Sequence, residues 1–297
     1  MEIATKRISL RGIELCYDEV GRGSRPLLLV HGFTGCRRDF DTQFSALGRL
    51  GWTLVPDLRG HGGSTHTRDA ASYSFSELVE DLVAFLDALG AERCDFLGHS
   101  MGGMLALRTA LAHPQRVASL LLMGTAPFVP NEIPIDLFRL TWELARRQGM
   151  AFVQQLIQQR AAEDPARNAA DLRLEREWGY ERYWERHRER VTAVDPEAYA
   201  ALGCEIVEQV SLVPRLAEIR CPTTVMIGEL DRSFLAGAEA LTRGISGAQR
   251  VVFSEVGHHP QFEVPERWYA AVAEHLRRVR ASDAIARRLT RIIHEAP

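Results

Sequence analysis

Cys94-Asp95-Phe96-Leu97-Gly98-His99-Ser100-Met101-Gly102-Gly103 leads from a short apolar run into a helical pattern, with a serine at the turn between them. The Gly-x-Ser-x-Gly spacing has a steric reason. The incoming strand and the outgoing helix come close at such a turn, so a Cβ at Gly98 or Gly102 would clash. The turn lifts the serine hydroxyl clear of the sheet and sets it at a helix N-terminus. There the peptide N–H of Met101 has no partner within the helix and can donate to an oxygen that becomes negative. Ser100 is the candidate nucleophile, and Met101 N–H is one half of a candidate oxyanion hole.

Outward from this turn the chain alternates strand and helix signals. Residues 26–30 form a continuous apolar run ending at His31-Gly32, as suits a strand buried on both faces of a parallel sheet. Residues 53–56 and 117–123 read as further strands, and residues 7–10 and 13–18 as a hairpin around Arg11-Gly12. Residues 74–90 predict a helix: Ser74 and Glu77 have capping-box spacing, and Leu78, Leu82, Phe85, Leu86 and Leu89 make one stripe. Residues 100–113 predict another, stopped by Pro114. Such alternation requires crossovers, hence an α/β fold with a mostly parallel central sheet flanked by helices.

At Pro127 the rhythm breaks. Residues 128–214 read as helical throughout, which predicts an α-helical insertion (128–214) in a core domain of residues 1–127 and 215–297. The strand–helix rhythm resumes over 223–228, 234–245 and 250–253. A final helix starts at Pro265, a good first helical residue, and runs towards residue 280. The tail beyond it is amphipathic through Ile285, Leu289, Ile292 and Ile293, which predicts packing against the body.

Composition narrows the function classes. With 297 residues, 46% of them hydrophobic, the chain can bury a sizeable core. The net charge of -3 leaves no unbalanced basic stripe, which argues against nucleic acid as a partner. The arginines of residues 176–190 are interleaved with Glu177, Glu181, Glu185 and Glu189, as in a salt-bridged, solvated helix face. Five cysteines at wide spacing, with no Cys-x-x-Cys, predict neither a disulfide framework nor a zinc site, and fit a reducing cytoplasm. The longest apolar runs are too short to span a bilayer, and the N-terminal dozen residues read as a strand rather than a signal peptide. A soluble protein acting on a small molecule, as monomer or homodimer and without membrane partners, is expected.

Two further loops supply chemistry. In His31-Gly32-Phe33-Thr34-Gly35, Gly32 lets the chain turn so that Phe33 N–H faces the same point as Met101 N–H, completing the oxyanion hole. His31 reads as a structural residue of that loop. A serine hydroxyl is a weak nucleophile and needs a base. Val256-Gly257-His258-His259-Pro260 offers two; His258 directly follows the glycine that ends the strand, whereas His259 precedes proline and can shape the loop. The base in turn needs an acid to fix its tautomer. Glu229 and Asp231 both follow the strand at 223–228, and Asp231 is preferred; the loop after residues 117–123, Gly124-Thr125-Ala126-Pro127, contains none.

These segments, together with Asp57-Leu58-Arg59-Gly60-His61-Gly62-Gly63-Ser64, resemble the α/β-hydrolase superfamily in order and spacing over nearly the whole chain. The resemblance implies a Ser100–Asp231–His258 triad, the chain order usual for that fold. It also implies that residues 57–64 form a structural loop and that residues 128–214 are a helical cap roofing the pocket, with Trp142, Trp178, Tyr183 and Trp184 as candidate lining. No metal or organic cofactor is implied. Ser100 argues against dehalogenases and epoxide hydrolases, which carry Asp at that position. Met104 stands where menaquinone-pathway synthases carry Arg. His99 and His259 stand where carbon–carbon bond hydrolases often show Asn and Trp. The expected activity is hydrolysis of a small carboxylic ester through an acyl-enzyme. Carbon–carbon cleavage or elimination with the same triad, and a non-catalytic ligand receptor, are the alternatives.

Overall fold

The computed structural model describes residues 4–131, 135–164 and 167–295. Eight strands form one sheet: β1 (Ala4–Leu10), β2 (Ile13–Val20), β3 (Leu27–Val30), β4 (Thr53–Pro56), β5 (Cys94–His99), β6 (Val117–Met123), β7 (Thr223–Gly228) and β8 (Gln249–Phe253). Their spatial order is β1-β2-β4-β3-β5-β6-β7-β8. The β1–β2 hairpin and the β2–β4 pair are antiparallel, and every pair from β4 to β8 is parallel. The hairpin turn places Arg11 and Gly12 at positive φ (46° and 79°), which Gly12 adopts without steric cost.

The alternation of side chains along the buried strands builds two cores. Leu28 and Val30 of β3, with Phe96, Leu120, Leu122, Val225 and Ile227, face α2 (Phe75–Ala88), α3 (Met101–Ala112) and α9 (Arg232–Gly244). Leu27 and Leu29, with Leu97, Leu121, Met123 and Met226, face α1 (Asp41–Leu47) and the last helix, α11 (Pro265–Glu295), through Phe44, Trp268, Val272 and Leu276. Ser74 caps α2 by accepting from Glu77 N–H at 3.1 Å. The reciprocal half of the capping box is not made; the Glu77 carboxylate pairs with Arg11 at 3.0 Å instead.

Between β6 and β7 the chain is helical: α4 (Ile135–Gln148), α5 (Met150–Glu163), α6 (Ala169–Trp178), α7 (Tyr180–Thr192) and α8 (Pro196–Glu208). After β8 a short α10 (Pro260–Glu263) precedes α11. Helix α11 continues to Glu295 rather than ending near residue 280, and Arg280 ties it to the buried Asp95 at 3.0 Å. The side chains of Ile285, Leu289, Ile292 and Ile293 lie outside the described residues. Among the described residues no helix is long and apolar enough to cross a membrane.

The glycines of the β5–α3 turn do what their spacing predicts. A Cβ on Gly98 would lie 2.3 Å from Gly102 O, and one on Gly102 would lie 2.3 Å from Val30 O. Both obstacles are backbone, one in the first turn of α3 and the other in the central strand β3, and cannot yield cheaply. Gly102→Ala should therefore destabilise the protein by about 3 kcal/mol or more. Gly90→Ala, where a Cβ meets nothing within 4 Å and only φ = 68° is unfavourable, should cost about 1 kcal/mol. Thermal denaturation of the two variants side by side checks this, and equal losses would show that the turn is not sterically locked.

Candidate active site

Ser100 sits between β5 and α3 at φ 55° and ψ -118°, a conformation that a residue with a Cβ holds only when its surroundings impose it. Here they do. Ser100 N–H donates to Met123 O at 2.9 Å, and Ser100 O accepts from Thr125 Oγ1 at 2.7 Å and from Gly103 N–H at 2.9 Å. The loop after β3 passes alongside. A Cβ on Gly32 would be 3.1 Å from Ser100 Cβ, so Phe33 follows within one residue of the serine's neighbourhood.

That loop is held from behind. His31 accepts from Leu58 N–H at Nε2 (3.1 Å) and donates from Nδ1 to Gly32 O (2.8 Å), which defines its neutral tautomer. Burial pushes its pKa down to about 4 and keeps it uncharged. His61 Nε2 lies 2.8 Å from Phe33 O, and the Phe33 ring stacks on Tyr199 at 4.9 Å. Asp57 holds the 57–64 loop by accepting from Arg37 N–H at 2.6 Å and Gly63 N–H at 2.7 Å. None of the Asp57, His31 or His61 side chains lines the cavity that contains Ser100.

On the other side, β7 and β8 deliver an acid and an imidazole. His258 Nδ1 lies 2.9 Å from Asp231 Oδ2, with Asp231 at the N-cap of α9. Gly124, at φ 52°, leaves room for the pair: a Cβ there would approach His258 Nδ1 to 3.1 Å and Asp231 Oδ2 to 3.2 Å. Phe234 stacks on the His258 ring at 4.8 Å, and His99 Nε2–H donates to His258 O at 2.8 Å. Burial pulls the His258 pKa down, but the charge and hydrogen bond of Asp231, helped by Asp171, prevail and raise it above its ordinary value.

The rival residues have other work. Glu229 accepts from Ser254 Oγ and Glu255 N–H, both at 3.0 Å, and so holds the turn after β8, where Glu255 has φ 61°. His259 stacks on Phe262 at 5.6 Å with Nε2 3.4 Å from Arg190, and burial beside that guanidinium keeps it neutral.

Ser100 and His258 open into one cavity of about 270 Å³ beneath α6 and α7. Phe33, Trp178 and Tyr183 line it, but Trp142 and Trp184 do not. The Trp142 indole fills a slot against α8, where a Cβ on Gly203 would be 2.4 Å from Trp142 Nε1, and packs on Phe138. Trp184 is buried against Tyr183 and His187. Sequence reasoning missed Asp171, Arg186, His187 and Arg190 on the wall. A signal existed, since Tyr183, Arg186, His187 and Arg190 share one helical face. The expectation of a solvated face over residues 176–190 needs correction on this point. Arg190 Nε lies 2.8 Å from the fully buried Asp39, and Arg186 lies 3.0 Å from Asp41. A carboxylate buried without a partner would be costly, so Asp39 draws this face of α7 onto the core. A larger cavity, about 780 Å³, lies by Lys6, Glu19 and Trp52 and holds no serine or histidine.

Residues 25–265 match the family model for the alpha/beta hydrolase fold. Over 278 residues the chain is 28% identical to the 2-hydroxy-6-oxononadienedioate/2-hydroxy-6-oxononatrienedioate hydrolase of Paraburkholderia xenovorans, covering 89% of this chain and 91% of that protein. A shorter stretch of 132 residues is 33% identical to bifunctional epoxide hydrolase 2 of Sus scrofa; it covers 43% of this chain and only 23% of that relative's length. Among solved structures, a malate-bound thermophilic esterase from Thermogutta terrifontis superposes with a TM-score of 0.78 at 30% identity, covering 93% of this chain and 99% of that one.

Proposed function

The chain belongs to the alpha/beta hydrolase family, and on that premise we propose that it is a serine hydrolase cleaving a small carboxylic ester through an acyl-enzyme. The observation that carries this is the meeting of three groups. Ser100, held at positive φ at the start of α3, shares a cavity with His258, whose Nδ1 lies 2.9 Å from Asp231. In this reading Ser100 Oγ attacks the ester carbonyl while His258 Nε2 takes its proton. Asp231 holds the Nδ1–H tautomer and stabilises the imidazolium that forms. The N–H groups of Met101 and Phe33 receive the oxyanion. His258 then passes the proton to the leaving alkoxide, and water attacks the acyl-enzyme by the same route in reverse. No metal or organic cofactor is required by this scheme. The likeness to the Thermogutta esterase supports it. A cytoplasmic setting is part of the proposal, in keeping with five free cysteines.

A second reading, carbon–carbon bond hydrolysis with the same residues, is favoured by the near full-length likeness to the oxononadienedioate hydrolase. His99 and His259, at positions where that branch often shows Asn and Trp, favour the ester. The deciding experiment is a p-nitrophenyl ester series from acetate to decanoate. The cavity of about 270 Å³ should give its optimum at short acyl chains. Release no faster than in buffer across the whole series would sink the ester reading and call for vinylogous diketone substrates.

A further inference from the structure

Among the described residues three charged side chains other than histidine stand on the cavity wall: Asp171 from α6, and Arg186 and Arg190 from α7. They are not equivalent. Arg190 is held by both carboxylate oxygens of Asp39, at 2.8 and 3.2 Å. Arg186 is held by Asp41 at 3.0 Å and by Arg38 O at 2.6 Å. Both guanidiniums also lie over the Phe262 ring, 4.8 and 5.7 Å from its centroid. Arg167, the cation one turn before Asp171, is paired with Glu175 at 2.6 Å and packs against Tyr183. Asp171 makes no hydrogen bond and no ion pair among the described residues, although its charge is felt at His258. The two arginines on the wall, and Arg167 beside it, are paired with other carboxylates, whereas Asp171 faces Arg167 and His258 only through space.

A carboxylate in a confined, partly desolvated wall is a strong acceptor that gains most from a donor brought by the ligand. We propose that Asp171 is a specificity-determining residue that receives a hydroxyl or ammonium group of the substrate, so that the ester cleaved at Ser100 carries a hydrogen-bond donor on its acyl or alkoxy part. The inference rests on the ester reading above. It runs against a substrate that would present a second carboxylate to α6.

The test is kcat/KM by pH-stat at neutral pH for two matched series. One is ethyl butanoate, ethyl β-hydroxybutanoate, ethyl β-aminobutanoate and monoethyl succinate; the other is the butanoates of ethanol, ethylene glycol and ethanolamine. In one series the hydroxy and ammonium esters should exceed the plain ester by roughly tenfold or more, with the succinate monoester slowest. Asp171→Asn should abolish the ammonium preference, and Asp171→Leu both preferences, each read as the ratio of donor ester to plain ester within the same variant, because losing the Asp171 charge also lowers the His258 pKa and so acts on all the esters alike. A wild type indifferent to the donor in both series, or a preference that survives Asp171→Leu, overturns the assignment while leaving the ester reading intact. Failure to turn over any ester, with Ser100 unreactive towards a fluorophosphonate probe, overturns both.

Discussion

Ser100→Ala should lower kcat on a short-chain ester by roughly 10⁶-fold, leaving a residue of catalysis from binding and the oxyanion donors alone. The magnitude follows from the role assigned to the hydroxyl. Without it no acyl-enzyme forms, and His258 has no proton to take from the protein. The fold should not change, because the hydroxyl makes no contact that holds the turn. The restraints come from the Ser100 backbone, through Met123 O, Thr125 Oγ1 and Gly103 N–H. Alanine at φ 55° is as strained as serine, so its melting temperature should match that of the wild type. Ser100→Gly should be equally inactive but more stable, by about 1 kcal/mol, because glycine adopts positive φ without steric cost. Activity assays and thermal melts of both variants decide the matter. An alanine variant that keeps its activity removes Ser100 from the mechanism. A glycine variant no more stable than the alanine one shows that the turn stores no strain.

Asp231→Asn should cost roughly 10⁴-fold in kcat, chiefly because an amide no longer secures the Nδ1–H tautomer of His258. It should also move the pH profile. Burial depresses the His258 pKa, and Asp231 more than restores it, so the acid limb of kcat/KM in the wild type should lie above the ordinary imidazole value of about 6.5. The sign is set by the need for a neutral base: activity is lost as pH falls through this pKa. Removing the Asp231 charge leaves burial less opposed, so the limb of the variant should shift to lower pH. A wild-type limb well below the ordinary value, or a variant limb that does not move, would show that Asp231 is not the partner that tunes His258. Glu229→Gln is the control, since that carboxylate serves the turn at Ser254 and Glu255 and should leave the profile unchanged.

The parts of this protein that were legible in its sequence are those governed by local sterics. Gly98 and Gly102 announce a close strand–helix approach because no other residue fits there. The unbroken run ending at Val30 announces a strand covered on both sides. The cavity wall was harder to read because it depends on how separate elements meet. Trp142 and Trp178 look alike on a helical pattern, yet one fills a slot left by Gly203 and the other reaches the cavity. The shared face of Tyr183, Arg186, His187 and Arg190 can be drawn from spacing alone. What turns it inward is Asp39, buried in a short turn before α1 and distant in sequence. Nothing in a single chain reveals that pairing before the fold brings the two together.

Helix α7 carries two duties on one face, and they alternate along it. Tyr183 and His187 shape the ceiling of the cavity, while Arg186 and Arg190 also bind Asp41 and Asp39 on the core. For anyone retuning substrate scope by saturation libraries, this divides the helix into positions of unequal tolerance. Diversity is best concentrated at Tyr183, with the two arginines kept fixed together with His187, whose Nδ1 meets the buried Gln154 of α5 at 2.5 Å. Randomising the arginines would change the height of the ceiling as well as its lining, and would mix loss of scaffold with change of taste.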